Sequence, residues 1–192
     1  SKIQDTKKWK NHVGLGMSIP TGDINKRDVT PMSSDARLGY AMQNGTGTYD
    51  AFFLINNLNE FGKFKVGEQF FFKLPVSGKN SYGYRYGKDF GLNLWVSYRF
   101  FQYLSGSFKI NYQYKGEMEG FDNEMNKRMS PAMDSANQGF NKVNLGLGFN
   151  LVNNSVYFKN NRLALELLIP IYRDYEGIQM ADSFSFILGW QY

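Results

Sequence analysis

Cysteine is absent from the 192 residues, and histidine occurs once, at His12. The first absence excludes a disulfide scaffold and thiolate metal centres. The second leaves any hydrolytic chemistry with a single imidazole to serve as base. No stretch approaches the roughly 18 to 20 uncharged apolar residues that a membrane-spanning helix requires. No dense run of lysine and arginine accompanies the net charge of +5, so nucleic acid is not an expected partner. An initiator methionine and an apolar leader are missing too. Ser1 opens the chain as expected of a mature protein after signal removal, or of a piece of something longer.

What is present is aromatic residue and glycine in quantity. Aromatics make up 17% of the chain, and 20 glycines are spread through apolar stretches instead of being gathered in linkers. Mean hydropathy is −0.45, which by itself suggests a water-soluble protein. Strict alternation hides a membrane-facing surface from such averages. The length suits one domain, residues 1–192.

The segment Asp182 to Tyr192 shows that alternation most plainly. Phe184, Phe186, Leu188, Trp190 and Tyr192 fall on one side; Ser183, Ser185, Gly189 and Gln191 fall on the other, with Ile187 the exception. A strand has a side-chain period of two, so this reads as a closing strand with one oily and one small, polar face. Seven earlier segments repeat it. Trp9 to Ile19 comes first, followed by Gly47 to Ile55 and Phe64 to Leu74. Next are Phe90 to Phe100, Ser107 to Lys115, Val143 to Leu151 and Leu163 to Ile171. Each runs about 9 to 12 residues, enough for a tilted strand to cross a bilayer.

Connections 20–46, 75–89 and 118–140 are long and polar, whereas 57–63 and 101–105 are short. Connections 152–161 and 173–181 are nearly equal and break this rule. Outer-membrane barrels place long loops outside and short turns in the periplasm, which predicts strand one running outward and both termini periplasmic. The expected fold is an all-β, antiparallel, up-and-down transmembrane barrel with about eight strands in this chain. A soluble lipocalin-type barrel has the same period with its oily side inward. Glycine, serine and asparagine on the polar side favour the membrane form, since they suit a crowded interior better than a wet exterior. Trp9, Tyr49, Phe90, Phe100, Tyr114, Trp190 and Tyr192 sit where interfacial girdles are required.

On that reading the lumen is lined by Lys10, Lys65, Arg99, Lys109, Arg162, Glu166, Asn93, Asn111 and Asn144. The five cations fall in the periplasmic third, with Glu166 nearer the middle and Asp50, Lys73, Lys115 and Glu117 near the outer mouth. A ring of unpaired cations would favour anionic solutes; pairing with Glu166, solvent or phosphates would cancel that preference. His12 makes a poor catalytic base, because Ser18 lies roughly 20 Å along the same strand, at about 3.3 Å per residue. No enzyme activity, catalytic residue, cofactor or metal site is therefore expected. Met125, Met129 and Met133 have helical spacing and soft thioethers, but Pro131 interrupts them. A mobile outer loop with a short helix is expected there. Glu68 falls on the oily side, where a charge is costly; a bulge at Gly67, an oligomer contact or nearness to the rim would each explain it.

Four segments resemble a family of bacterial outer-membrane barrels grouped with the meta-pathway phenol-degradation proteins and described as transporters. They are Ile19 to Ile24, Tyr40 to Asp50, Tyr82 to Gly87, and Arg162 to Glu166 with Pro170 and Tyr172 to Gly177. The run Met42-Gln-Asn-Gly-Thr-Gly-Thr-Tyr-Asp50 is the most specific. The resemblance implies a bacterial outer-membrane location and the C-terminal two-thirds of a larger barrel of about twelve strands, an even count as such barrels have. Passive movement of a small solute is the expected function. The alternative is a non-conducting barrel that binds a protein partner through its long outer loops. Expected partners are outer-membrane lipid and that solute or partner.

Overall fold

The computed structural model describes residues 8–31, 33–153 and 161–191. Tyr192 and most of connection 152–161 lie outside them. Among the described residues twelve strands follow one another. Eight form one sheet: β1 (Lys8–Ser18), β4 (Asp50–Phe61), β5 (Phe64–Pro75), β7 (Asp89–Arg99), β8 (Leu104–Lys115), β10 (Phe140–Asn153), β11 (Asn161–Tyr175) and β12 (Ser185–Gln191). They are neighbours in that order, and every pairing is antiparallel. The result is an up-and-down meander with β1 and β12 as its two edges. No pairing joins those edges among the described residues. The remaining strands are short. β2 (Arg27–Thr30) pairs with β3 (Ser33–Arg37), and β6 (Tyr84–Arg85) with β9 (Glu119–Gly120).

Local chemistry explains the strand ends. Phe61 pairs directly with Phe64, so Gly62 and Lys63 alone make the β4–β5 turn, and Gly62 takes φ +60°, which other residues resist. The strands therefore run closer to this end than alternation suggested. In β11, Ile171 is an extra residue: Asn144 pairs with Pro170 and Val143 with Tyr172. Proline cannot donate to a ladder, and here it need not, because pairing with β12 has already ended at Leu168. No such shift occurs at Gly67, whose register runs unbroken through β4, β5 and β7. A bulge is thereby removed as the explanation of Glu68.

The sheet has an inner face, carrying Asn93, Asn111 and Asn144, and an outer face of alternate residues. Asn111 and Asn144 are only 6% and 5% exposed, while Leu147 and Phe149 on the other side of β10 are 53% exposed. Leu94, Val96, Phe108 and Ile110 are likewise exposed on that outer side. On β8 and β10 the large apolar side chains thus look away from the sheltered side. Ile187, the exception noted in the last strand, pairs with Glu166 on the inner face.

All four long connections lie at one end of the sheet. Three of them pack around a small core of Tyr40, Tyr84, Met118 and Met125, with Tyr82, Tyr86 and Met133 against it. The fourth connection joins through Glu176 N–H, which donates to Gly139 O, and Ile178 N–H, which donates to Asn137 Oδ1. The methionine segment thus differs from expectation. It holds two single 3₁₀ turns, Pro131–Met133 and Ser135–Asn137, with Met118 and Met125 buried as packing groups. Pro131 opens the first turn, where its missing N–H costs nothing.

Candidate functional site

One row of amides crosses the inner face. Asn144 Nδ2 donates to Asn111 Oδ1 at 2.7 Å, and Asn111 Nδ2 donates to Asn93 Oδ1 at 2.8 Å. Asn93 Nδ2 in turn donates to Gln69 Oε1 at 3.0 Å. Register makes this possible: Gln69, Asn93, Asn111 and Asn144 are successive cross-strand partners on β5, β7, β8 and β10. The row continues through Asn56 on β4 to His12 on β1. Each link is worth about 1 kcal/mol net, and a missing one costs more because the partner is buried. Asn144 Oδ1 ends the ladder without a partner. Gln69 and Asn56 were not singled out from sequence, although their parity with Lys65 and Asp50 carried the signal.

All nine residues expected on the lumen side share this inner face, judged by strand register. The structure distributes the charges differently from the expected ring. Lys109 is one position of alternation from Asn111, hence mid-strand, and its Nζ lies 2.5 Å from Glu166 Oε1. Lys10 and Lys65 both approach Glu60 Oε1, at 3.7 and 3.3 Å. Glu60, like Gln69, went unremarked in the sequence. Arg162 instead meets a neutral group, donating through Nε and Nη2 to Asn150 Oδ1 at 3.0 and 2.6 Å. Arg99 Nη2 donates to Gly62 O at 3.3 Å. Near the long loops, Lys73 Nζ lies 3.0 Å from Asp50 Oδ2; the Thr46 hydroxyl donates to that oxygen and the Thr48 hydroxyl to Oδ1.

The inner face is also less uniformly polar than alternation implied. On β4 and β5 it carries Phe52, Leu54 and Phe71, with Phe52 and Phe71 6.0 Å apart, and further along it carries Trp95 of β7, in the row of Gly67 and Leu58. Glycines make room for these rings. A Cβ at Gly67 would occupy the space of the Trp95 indole, and Gly14 and Gly16 lie beside Leu54 and Phe52. The outer face of the same strands is mainly apolar, with Phe53, Ile55, Phe70 and Phe72, and one polar row interrupts it: Asn57 Nδ2 donates to Glu68 Oε1 at 2.7 Å, with Asn11 the next partner in the row. Glu68 sits mid-strand, away from the rim, so the amide beside it is its visible compensation.

At the long-loop end the polar contacts are buried. Arg37 Nε lies 2.9 Å from Asp122 Oδ2, and both side chains are almost wholly enclosed. The two atoms are off line for a hydrogen bond. Arg37 also stacks 3.6 Å above the Tyr82 ring and donates to Ile24 O at 2.9 Å. Asp122 N–H donates to Tyr40 Oη, and Tyr86 Oη–H donates to Tyr40 O. Burial pushes the Asp122 carboxyl above its ordinary range, against the opposing pull of Arg37. Burial likewise raises the phenols of Tyr40, Tyr84 and Tyr86.

Among the described residues no group of three or more His, Cys, Asp or Glu side chains converges on a point where a metal could sit. His12 faces Asn56 across β1 and β4, and Ser18 faces Asp50 six pairs further along. Compared with protein families, with curated proteins and with solved structures, the chain matches none.

Proposed function

We propose that this chain forms the wall of a bacterial outer-membrane β-barrel through which a small solute moves passively. The observation that carries the reading is the division of the sheet. A ladder of buried amides and paired charges lines the sheltered face, while leucine, valine and phenylalanine stand exposed on the opposite one. In water an exposed apolar face spanning a sheet is a liability; in hydrocarbon it is the requirement. Free edges at β1 and β12 cannot stand in lipid, so the barrel closes either between them or through further strands. The sequence resemblance to the phenol-pathway outer-membrane proteins supports the second route.

The test is reconstitution. Refolded in detergent and added to planar bilayers, the chain should give discrete conductance steps and an SDS-gel band that shifts on heating. A chain that stays monodisperse without detergent and never inserts would sink the proposal.

One observation favours a non-conducting alternative. The long loops fold into a packed cap whose surface presents Val29, Met42, Phe121, Ile178 and Met180 to solvent, a set suited to a protein partner. Insertion without conductance would select that reading.

A further inference from the structure

Charge is segregated along the strands. In the long-loop connections the paired cations have carboxylates of their own among the described residues: Lys26 with Asp23, Arg27 with Asp35 and Glu124, Arg37 with Asp122, Arg85 with Glu119. At the short-turn end, Glu60 is the sole carboxylate among the described residues, and Lys10 and Lys65 share it. Lys63, Arg99 and Arg162 form no ion pair among the described residues.

Those three cations and Lys65 line one hollow of about 290 Å³ on the inner face, beside the turns 62–63 and 100–103. Its polar lining is otherwise hydroxyl and amide, including Ser97 and Ser105, and no carboxylate lines it among the described residues. The walls are fixed by backbone bonds. Arg99 N–H donates to Lys63 O at 2.9 Å, and Val152 N–H donates to Tyr103 O at 2.9 Å. The two guanidiniums are anchored on neutral acceptors, Gly62 O and Asn150 Oδ1, so each is oriented without being neutralised. Arg162 spends two N–H groups on Asn150 and keeps three for another acceptor. Guanidinium forks match the oxygens of phosphate and carboxylate alike, but four cations without a lining carboxylate favour a dianion over a monoanion.

We propose that this hollow is a binding site for a phosphate group, carried either by inorganic phosphate or by a phosphomonoester lipid headgroup. The site needs only the sheet and its short turns, so it stands or falls separately from conductance. Its volume lies at the bottom of the roughly 300–1,000 Å³ range of ligand pockets, which suits a small ion or headgroup. The expected order of importance is Arg162 and Arg99 first, then Lys63, with Lys65 discounted by Glu60.

The test uses the full chain refolded in zwitterionic detergent and titrated with inorganic phosphate by calorimetry at constant ionic strength. Saturable binding is expected, weakened about ten-fold or more in Arg99→Gln/Arg162→Gln, given the strength of charge-assisted hydrogen bonds. Lys63→Gln, in an exposed turn that cannot disturb the strands, should weaken it several-fold. Titration with short-chain phosphatidic acid separates the sources. Binding of inorganic phosphate identifies a free-anion site, and binding of phosphatidic acid alone identifies a headgroup site. Absence of saturable binding by either probe, or equal affinity in wild type, the double variant and Lys63→Gln, overturns the proposal.

Discussion

Replacing Asp122 by asparagine isolates one charge in the folded cap. The substitution keeps the side chain's shape and the acceptor Oδ1 that receives Glu124 N–H at 2.9 Å, and it leaves the backbone bond to Tyr40 Oη intact. What it removes is the partner of Arg37, whose side chain is 1% exposed. A buried cation left uncompensated costs about 3–5 kcal/mol. The pair's poor hydrogen-bond alignment and the remaining contacts of Arg37 to Ile24 O and Tyr82 argue for the lower figure. About 3 kcal/mol is roughly a hundred-fold or more in an opening equilibrium, at 1.4 kcal/mol per decade. Among the described residues the cap's buried apolar cluster is small, Tyr40, Tyr84, Met118 and Met125, so it should open as a local unit while the sheet stays folded. Hydrogen exchange resolved by peptide is the assay. Amides of 118–125 should lose about two orders of magnitude of protection, while those of β7 and β8 hold theirs. Arg37→Met/Asp122→Leu, which removes both charges, should recover most of it. Protection within about three-fold of wild type in Asp122→Asn would refute the reasoning, because the pair would then contribute nothing to holding the cap.

Other positions offer independent checks. Asn111→Ala removes the middle of the amide ladder and strands Asn93 and Asn144; a loss of about 2–3 kcal/mol is expected in urea unfolding from detergent. Gly67→Ala places a methyl where the Trp95 ring lies and should destabilise the sheet by about 1–3 kcal/mol while shifting indole fluorescence. An unchanged emission spectrum would contradict that packing. Burial lifts the Glu176 carboxyl above its ordinary 4.5, helped by Glu117 and Asp174, so the folded chain holds this proton more tightly than the unfolded one. Its contribution is therefore present below about pH 4.5 and lost as pH rises through the folded value. Glu176→Gln should match wild type near pH 4 and exceed it in thermal stability near pH 7.

The amino-acid order by itself marked the eight long strands of the main sheet, their approximate lengths and which side of most of them is oily; the four short loop strands and the rings on the inner side of β4 and β5 were outside its reach. What it marked follows from a period of two, and a period is a local property that survives without any knowledge of neighbours. Long connections flagged their common end for the same reason. Pairing was beyond its reach. That Glu60 serves both Lys10 and Lys65, that Lys109 takes Glu166, and that four amides line up from Gln69 to Asn144 all depend on cross-strand register, which couples residues far apart in the chain. Volume was the other thing hidden. Trp95 can lie on the inner face only because Gly67 faces it across the strand pair, and Met118 and Met125 are packing groups only because Tyr40 and Tyr84 arrive from other loops. Alternation says which way a side chain points; only the assembled strands and loops decide what it meets.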